Sequence, residues 1–166
     1  MEHLWSPWRL AYINGASDAT GCVFCDALTS DEASSLILHR GPTCFVILNL
    51  FPYNSGHLMV APYLHTADLA SLPAEVGADL LALTQRAVAA LAAEYRPDGY
   101  NIGMNLGRVA GAGLPDHLHV HVVPRWNGDT NFMPVTAETK VLPETLQQTH
   151  SRLVAALSGI PNPRSS

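Results

Sequence analysis

The chemistry-bearing residues of this chain crowd into one short run, His117-Leu118-His119-Val120-His121-Val122-Val123. The alternation is strict, so on a β-strand the three imidazoles leave one face while Leu118, Val120 and Val122 leave the other. The apolar face belongs to a core. Each imidazole brings a donor and an acceptor that burial would have to satisfy, which makes a purely structural role for all three costly. Two chemistries compete. A His-x-His pair with a third histidine can hold a catalytic zinc with an open position, as in a metal-dependent hydrolase. Alternatively, one imidazole held in the right tautomer by its neighbours is a nucleophile toward phosphorus. Spacing alone leaves both open. A second constellation, Cys22-Val23-Phe24-Cys25, has the spacing of a metal knuckle or a redox pair, and it lacks the βαβ surroundings of the redox motif. The third cysteine, Cys44, falls inside an apolar run and reads as core.

The elements that must position these groups are legible in outline. Ser35 to His39 and Thr43 to Asn49 are short β-type runs parted by the turn signal Arg40-Gly41-Pro42. A loop rich in turn formers, Phe51 to Gly56, leads into a third run, His57 to Ala61, stopped by Pro62. Val76, Leu80, Leu83, Ala87, Leu91 and Tyr95 recur at helical spacing between Pro73 and Pro97, predicting one long amphipathic helix. Two further strands, Tyr100 to Asn105 and Leu118 to Val123, flank the glycine-rich stretch Leu106 to Asp116, and Pro143 to Leu157 predicts a second helix. The order β-β-β-α-β-β-α is an α+β layout of about five antiparallel strands with helices packed to one side. One domain over 1–166 is expected, with an arm over 1–21 and a C-terminal helix and tail over 143–166.

Composition bounds the partners. With 166 residues, 48% hydrophobic and 14% charged, the chain lies in the globular range. Nine Lys+Arg against fourteen Asp+Glu leave a formal net charge of -5, so the footprint of a nucleic-acid polymer binder is missing. Eight histidines nearly equal the nine Lys+Arg, an excess that asks for an explanation. Residues Met1 to Arg9 show no basic-then-apolar arrangement, and no run approaches the ~18 consecutive apolar residues of a membrane span. The expectation is a soluble, unexported protein of a reducing, cytoplasmic compartment, since three cysteines make no disulfide scaffold.

The His-φ-His-φ-His-φ-φ run resembles that of the histidine triad (HIT) family of nucleotide hydrolases and transferases. The resemblance extends through Cys22 to Cys25, Ile47-Leu48-Asn49, Asn54 to Val60 and Asn101 to Asn105, and so covers nearly the whole chain. The stretches Leu4 to Arg9 and Val123 to Phe132 are similar to a bacterial subgroup that includes diadenosine tetraphosphate phosphorylases. The family implies a HIT-like fold and a double displacement at an α-phosphate, on dinucleoside polyphosphates or nucleoside phosphoramidates. The runner-up readings are the zinc-dependent hydrolase above and a nucleotide-binding regulatory module with little turnover.

The resemblance also distributes roles. His119 is expected to attack phosphorus, with a neutral imidazole favoured by an ordinary pKa of ~6.5, and His121 to support it by donating to an oxygen as charge develops. His117, with Cys22, Cys25 and His65, is expected to form a closed structural Cys₂His₂ zinc site, as in the zinc-bearing branch that contains galactose-1-phosphate uridylyltransferases. Asn49 is expected near the ribose, with Phe24, Ile47 and Leu50 near the base. Many members carry Gly-Gln or Gly-Gln-Ser before the triad, whereas this chain has Gly111-Ala112-Gly113-Leu114-Pro115-Asp116. The backbone at Gly111 and Gly113, with Asn105, is left to meet the phosphates. Arg125 and Asn131 are candidates for distal phosphates or a partner subunit. A homodimer or higher homo-oligomer is implied, with the Trp5 and Trp8 arm available for further contacts. His57 is expected to be structural, and His3, His39 and His150 to face solvent.

Overall fold

The computed structural model describes residues 21–31, 35–129 and 143–161. His3, Trp5, Trp8 and Asn131 lie outside the described residues. In chain order the elements are α1 (Val23–Thr29), β1 (Ile37–Arg40), β2 (Cys44–Leu48), β3 (Leu58–Pro62), α2 (Ala74–Tyr95), β4 (Gly99–Gly103), a single 3₁₀ turn (Arg108–Ala110), β5 (Val120–Arg125) and α3 (Leu146–Gly159). The five strands form one sheet in the order β1-β2-β3-β5-β4, with every pairing antiparallel. The histidine-bearing strand is therefore inserted between the end of the meander and β4.

Strand alternation sorts the sheet into two faces. Cys44, Val46 and Leu48 of β2, Leu58 and Val60 of β3, and Val120 and Val122 of β5 join the buried stripe of α2, Val76, Leu80, Leu83, Ala87 and Leu91, together with Leu153 and Leu157 of α3. The core status of Cys44 follows. Phe45, Ile47, Met59 and Ala61 point the other way and pack against Phe24 of α1. Because Met59 pairs with His121, the catalytic candidates open on that second face. Helix α2 stops where Arg96 adopts φ 48°, a left-handed cap whose N–H bonds the Ala92 carbonyl, just before Pro97. Helix α3 starts at a capping box between Thr145 and Gln148.

Three expectations change. The α1 segment is helical and covers the face opposite α2 and α3, so the helices do not all lie on one side. Seven residues make fewer than two turns, too short for a 3.6-residue period to declare itself. β5 begins at Val120, so His117 and His119 precede the regular ladder. The Leu118 N–H bonds the Thr66 carbonyl at 2.6 Å, which draws this stretch toward the loop after β3 while Leu118 itself stays in the core. Finally, His39 and His150 are not solvent-facing. His150 Nε2 donates to the Ile37 carbonyl at 3.0 Å, and His39 Nε2 accepts from Arg86 at 2.8 Å. Burial, followed by the Arg86 charge, pushes the His39 pKa down. The same guanidinium donates to the Leu157 and Ile160 carbonyls, fastening the end of α3.

The loop between β2 and β3 bends at Gly56, where φ is +77° and an added Cβ would lie 2.8 Å from Leu91 Cδ2. Both the left-handed backbone and the contact with α2 favour glycine. Replacing Gly56 by Ala is expected to lower the unfolding free energy by roughly 1–3 kcal/mol. The Gly99→Ala control, at a site with nothing within 4 Å of the added carbon, should stay within about 0.5 kcal/mol of the wild type in the same urea titration.

Candidate active site and metal centre

The cysteine pair sits at the start of α1, with Cys22 as its N-cap and Cys25 three residues on. A spacing of three brings both sulfurs to one side of a helical turn. There they meet two histidines from distant parts of the chain. Cys22 Sγ lies 3.3 Å from His117 Nδ1, and Cys25 Sγ lies 3.4 Å from His65 Nδ1 and 3.7 Å from His117 Nδ1. All four ligand atoms fall within 4.8 Å of one another. A tetrahedral ion with Zn–S of ~2.3 Å and Zn–N of ~2.0 Å needs S···N separations of about 3.5 Å, so two thiols and two imidazoles at these distances fit zinc.

Protonation agrees with that use. His117 is buried, and its Nε2 lies 2.9 Å from the Pro62 carbonyl. A carbonyl only accepts, so Nε2 carries the hydrogen and Nδ1 turns a lone pair to the sulfurs. Burial, with the nearby His65 and His119, pushes the His117 pKa down, which keeps the ring neutral as a ligand must be. Burial and then the adjoining Cys22 push the Cys25 thiol up, so its thiolate needs a cation beside it.

The same reasoning places the protons of the remaining histidines. His119 Nδ1 lies 2.8 Å from the His117 carbonyl, which makes it the donor and leaves a lone pair on Nε2. Burial pushes the His119 pKa down against the opposing pull of that bond, so the ring stays neutral near neutral pH. His57 Nδ1 accepts from the Tyr53 backbone N–H at 3.0 Å, so its hydrogen is on Nε2. That nitrogen is 3.0 Å from His121 Nδ1, which must accept, and His121 therefore carries its own hydrogen on Nε2. The rings of His119 and His121 stand 4.8 Å apart at 77°. A ring with a lone pair on Nε2 and a ring with a hydrogen on Nε2 are thus set side by side. Among the described residues, the Cys22/Cys25/His65/His117 set is the one group of three or more such side chains placed to hold a metal, and the three triad histidines face different partners.

An open cleft of about 450 Å³ borders His121, with Tyr53, Asn101, Gly103, Asn105 and Arg125 among its walls. A larger hollow of about 930 Å³ between Trp126 and α3 contains none of these histidines. The family described as HIT domain matches residues 30–128. The chain belongs to the HIT family.

Similar proteins match over most of this chain. An AP-4-A phosphorylase of Mycobacterium tuberculosis is 41% identical over 165 residues, covering 93% of this chain and 83% of that protein. An adenosine 5'-monophosphoramidase of Saccharomyces cerevisiae is 28% identical over 162 residues, covering 96% and 99%. Among solved structures, a Zn-bound histidine triad family protein from Mycobacterium smegmatis superposes with a TM-score of 0.67 at 32% identity, over 87% of this chain and 96% of that one. A uridylyltransferase structure shares the fold, with a TM-score of 0.69 at 18% identity, covering 95% of this chain and 53% of that one.

The other expected HIT site residues fall as follows. Phe24 is fully buried, and its ring lies 5.0 Å from His117 and 4.9 Å from His119, a floor beneath both. Ile47 is buried in the same cluster, while Leu50 is 57% exposed on the adjoining loop. The Asn49 amide nitrogen lies 3.4 Å from each ring nitrogen of His57, and its oxygen accepts the Phe51 N–H. Asn105 donates to the Gly111 carbonyl at 3.3 Å, and Gly113 lies in the turn that follows. Arg125 is engaged by Asp129 and Asn101. The residue that sequence reasoning undervalued is His57. It is fully buried and sets the proton of His121 from 64 positions away, a link that no spacing reveals.

Dialysed protein is expected to retain about one zinc per chain by elemental analysis. The double replacement Cys22→Ser/Cys25→Ser should release it, whereas His119→Ala should keep it. Zinc lost with His119 and kept without the cysteines would make the triad the ligand set instead.

Proposed function

We propose that this protein is a nucleotidyl hydrolase or transferase that cleaves dinucleoside polyphosphates, with phosphorolysis of diadenosine tetraphosphate as its favoured reaction. The observation that carries this reading is the placement of protons, with a lone pair on His119 Nε2 and a hydrogen on His121 Nε2 beside it. In the first step His119 Nε2 forms a bond to the α-phosphorus and the bond to the bridging oxygen breaks. His121 Nε2–H donates to the oxygen on which charge develops, worth most where water is excluded. The nucleotide then rests on His119 as a phosphoramidate. Inorganic phosphate or water attacks that phosphorus, the P–N bond breaks, and the ring regains its lone pair. The similarity to AP-4-A phosphorylase favours phosphate as acceptor, and the similarity to a monophosphoramidase favours the same first step on a P–N substrate.

Leu50 supplies exposed apolar surface for the base, whereas the buried Phe24 and Ile47, expected beside the base, support the site from beneath; Asn49 meets the ribose, and Asn105 with the backbone at Gly111 and Gly113 faces the phosphates. Zinc held by Cys22, Cys25, His65 and His117 is structural in this reading and ties α1 and the loop after β3 to the segment bearing His119. Among the described residues β4 is an edge strand of the sheet, and Ile102 on it is 50% exposed. A second copy of the chain paired there would cover that edge, which supports a homodimer or higher homo-oligomer. A reducing cytoplasm suits the paired thiols.

Incubation with labelled diadenosine tetraphosphate is expected to yield ADP and ATP only when inorganic phosphate is present. An acid-labile adduct should be trapped on His119, and His119→Ala should reduce turnover by about 10³-fold or more. AMP and ATP formed without phosphate would assign hydrolysis. Tight nucleotide binding with no product from polyphosphate or phosphoramidate substrates would assign a regulatory module.

A further inference from the structure

The proton on His121 depends on a backbone N–H, that of Tyr53, which belongs to an exposed loop and not to the sheet. Something must hold that loop. Its start is tied by the Asn49 N–H to the His57 carbonyl at 3.0 Å, and its middle by Asn54, a buried residue whose carbonyl accepts the His57 N–H at 3.0 Å. Both hydrogens of the Asn54 amide are spoken for. One goes to the Pro124 carbonyl at 3.0 Å and the other to Asp129 Oδ2 at 2.8 Å.

Asp129 is itself fixed with unusual completeness. It follows β5 by a turn in which Gly128 takes φ +75° and its own N–H bonds the Trp126 carbonyl at 3.1 Å. Its carboxylate accepts two bonds from Arg125, at 2.6 and 3.0 Å, and a third from the Trp126 N–H at 3.3 Å. The Arg125 guanidinium holds this carboxyl well below the usual carboxylate range, so it is ionised throughout the working pH range. Arg125 in turn grips Asn101 of β4 at 2.7 Å. A charge-assisted clamp at the far end of β5 therefore grips the loop that carries Tyr53, whose ring also lies 4.6 Å from that of His57.

We propose that Asp129 is a positioning residue for the reaction, acting through Asn54 and the Tyr53 N–H to lock His57 and hence His121 as Nε2–H tautomers. The inference rests on the role given to His121 above. Asp129 touches no reacting atom. Its removal loosens the loop and with it the Tyr53 N–H that selects His57 Nδ1; the Asn49 amide, 3.4 Å from each ring nitrogen, favours neither, and the hydrogen of each ring is then shared between two nitrogens. Only one of the two arrangements leaves His121 Nε2–H pointing to the substrate. His119 is independent of this chain, because its hydrogen is set by the His117 carbonyl.

Long-range ¹H–¹⁵N spectra of the histidine rings at about pH 8, above the ordinary imidazole pKa of ~6.5, test this in the full-length protein. The wild type should show His57, His121 and His119 each as a single tautomer. In Asp129→Ala, His57 and His121 should shift to mixed patterns while His119 is unchanged. Asn54→Ala breaks the same link from the other end, should give the same spectrum, and serves where Asp129→Ala does not fold. With labelled diadenosine tetraphosphate and phosphate, each single variant should lose about 10-fold in kcat, part of what a positioned acid supplies, with little change in KM. The double variant should lose no more. Folded variants whose His57 and His121 tautomers match the wild type would overturn the proposal, and so would an equal disturbance of His119. A wild type that turns over no nucleotide would sink the functional reading and leave the spectroscopic test standing.

Discussion

His117 donates from Nε2 to the Pro62 carbonyl, and the placement of that one hydrogen governs much of what surrounds it. It leaves Nδ1 free for the cluster formed by Cys22, Cys25 and His65. The backbone carbonyl of the same residue takes the Nδ1–H of His119, which leaves the nucleophilic candidate its lone pair. One residue thus joins the candidate metal centre to the candidate nucleophile, through its ring on one side and its backbone carbonyl on the other. A shift of the His117 ring would disturb the ligand set, and a shift of its peptide would disturb His119.

A second economy lies in charge. The chain carries a net charge of -5, yet its prospective substrate is an anion. The described site answers with imidazoles whose hydrogens are fixed by acceptors and donors that cannot reverse, a carbonyl at one end and an amide N–H at the other. Burial pushes both His117 and His119 toward the neutral form. Local donors outweigh the net charge because screening confines the latter's influence to about 8 Å at physiological ionic strength. A neutral nucleophile also keeps its lone pair available without first losing a proton.

The two faces of β5 explain why these features share so little chain. Val120 and Val122 are committed to the core under α2, and that commitment fixes the register against β3 and aims His121 to the opposite face. Slipping by one residue would bury an imidazole among the leucines of α2 and α3. The core therefore enforces the direction of the His121 side chain. Helix α1, by contrast, guards the other face with a single fully buried aromatic ring, Phe24, set against His117 and His119.

Much was legible in the residues alone. Strict alternation from His117 to Val123 put the imidazoles on one face, the helical period between Pro73 and Pro97 marked α2, and the motif run placed the chain in its family. These signals are local, with periods of two or 3.6 residues that any short window contains. The short α1 fell below that window, and the early end of the β5 ladder depended on a bond from Leu118 to the distant Thr66 carbonyl. The partners that decide the chemistry are more distant still, with His117 reaching Cys22 across 95 residues and His121 reaching His57 across 64. Sequence by itself determined which side chains are the candidates for chemistry and the family to which the chain belongs. Only the tertiary structure decided where each hydrogen sits, because a tautomer is set by whichever donor or acceptor folding brings within about 3 Å.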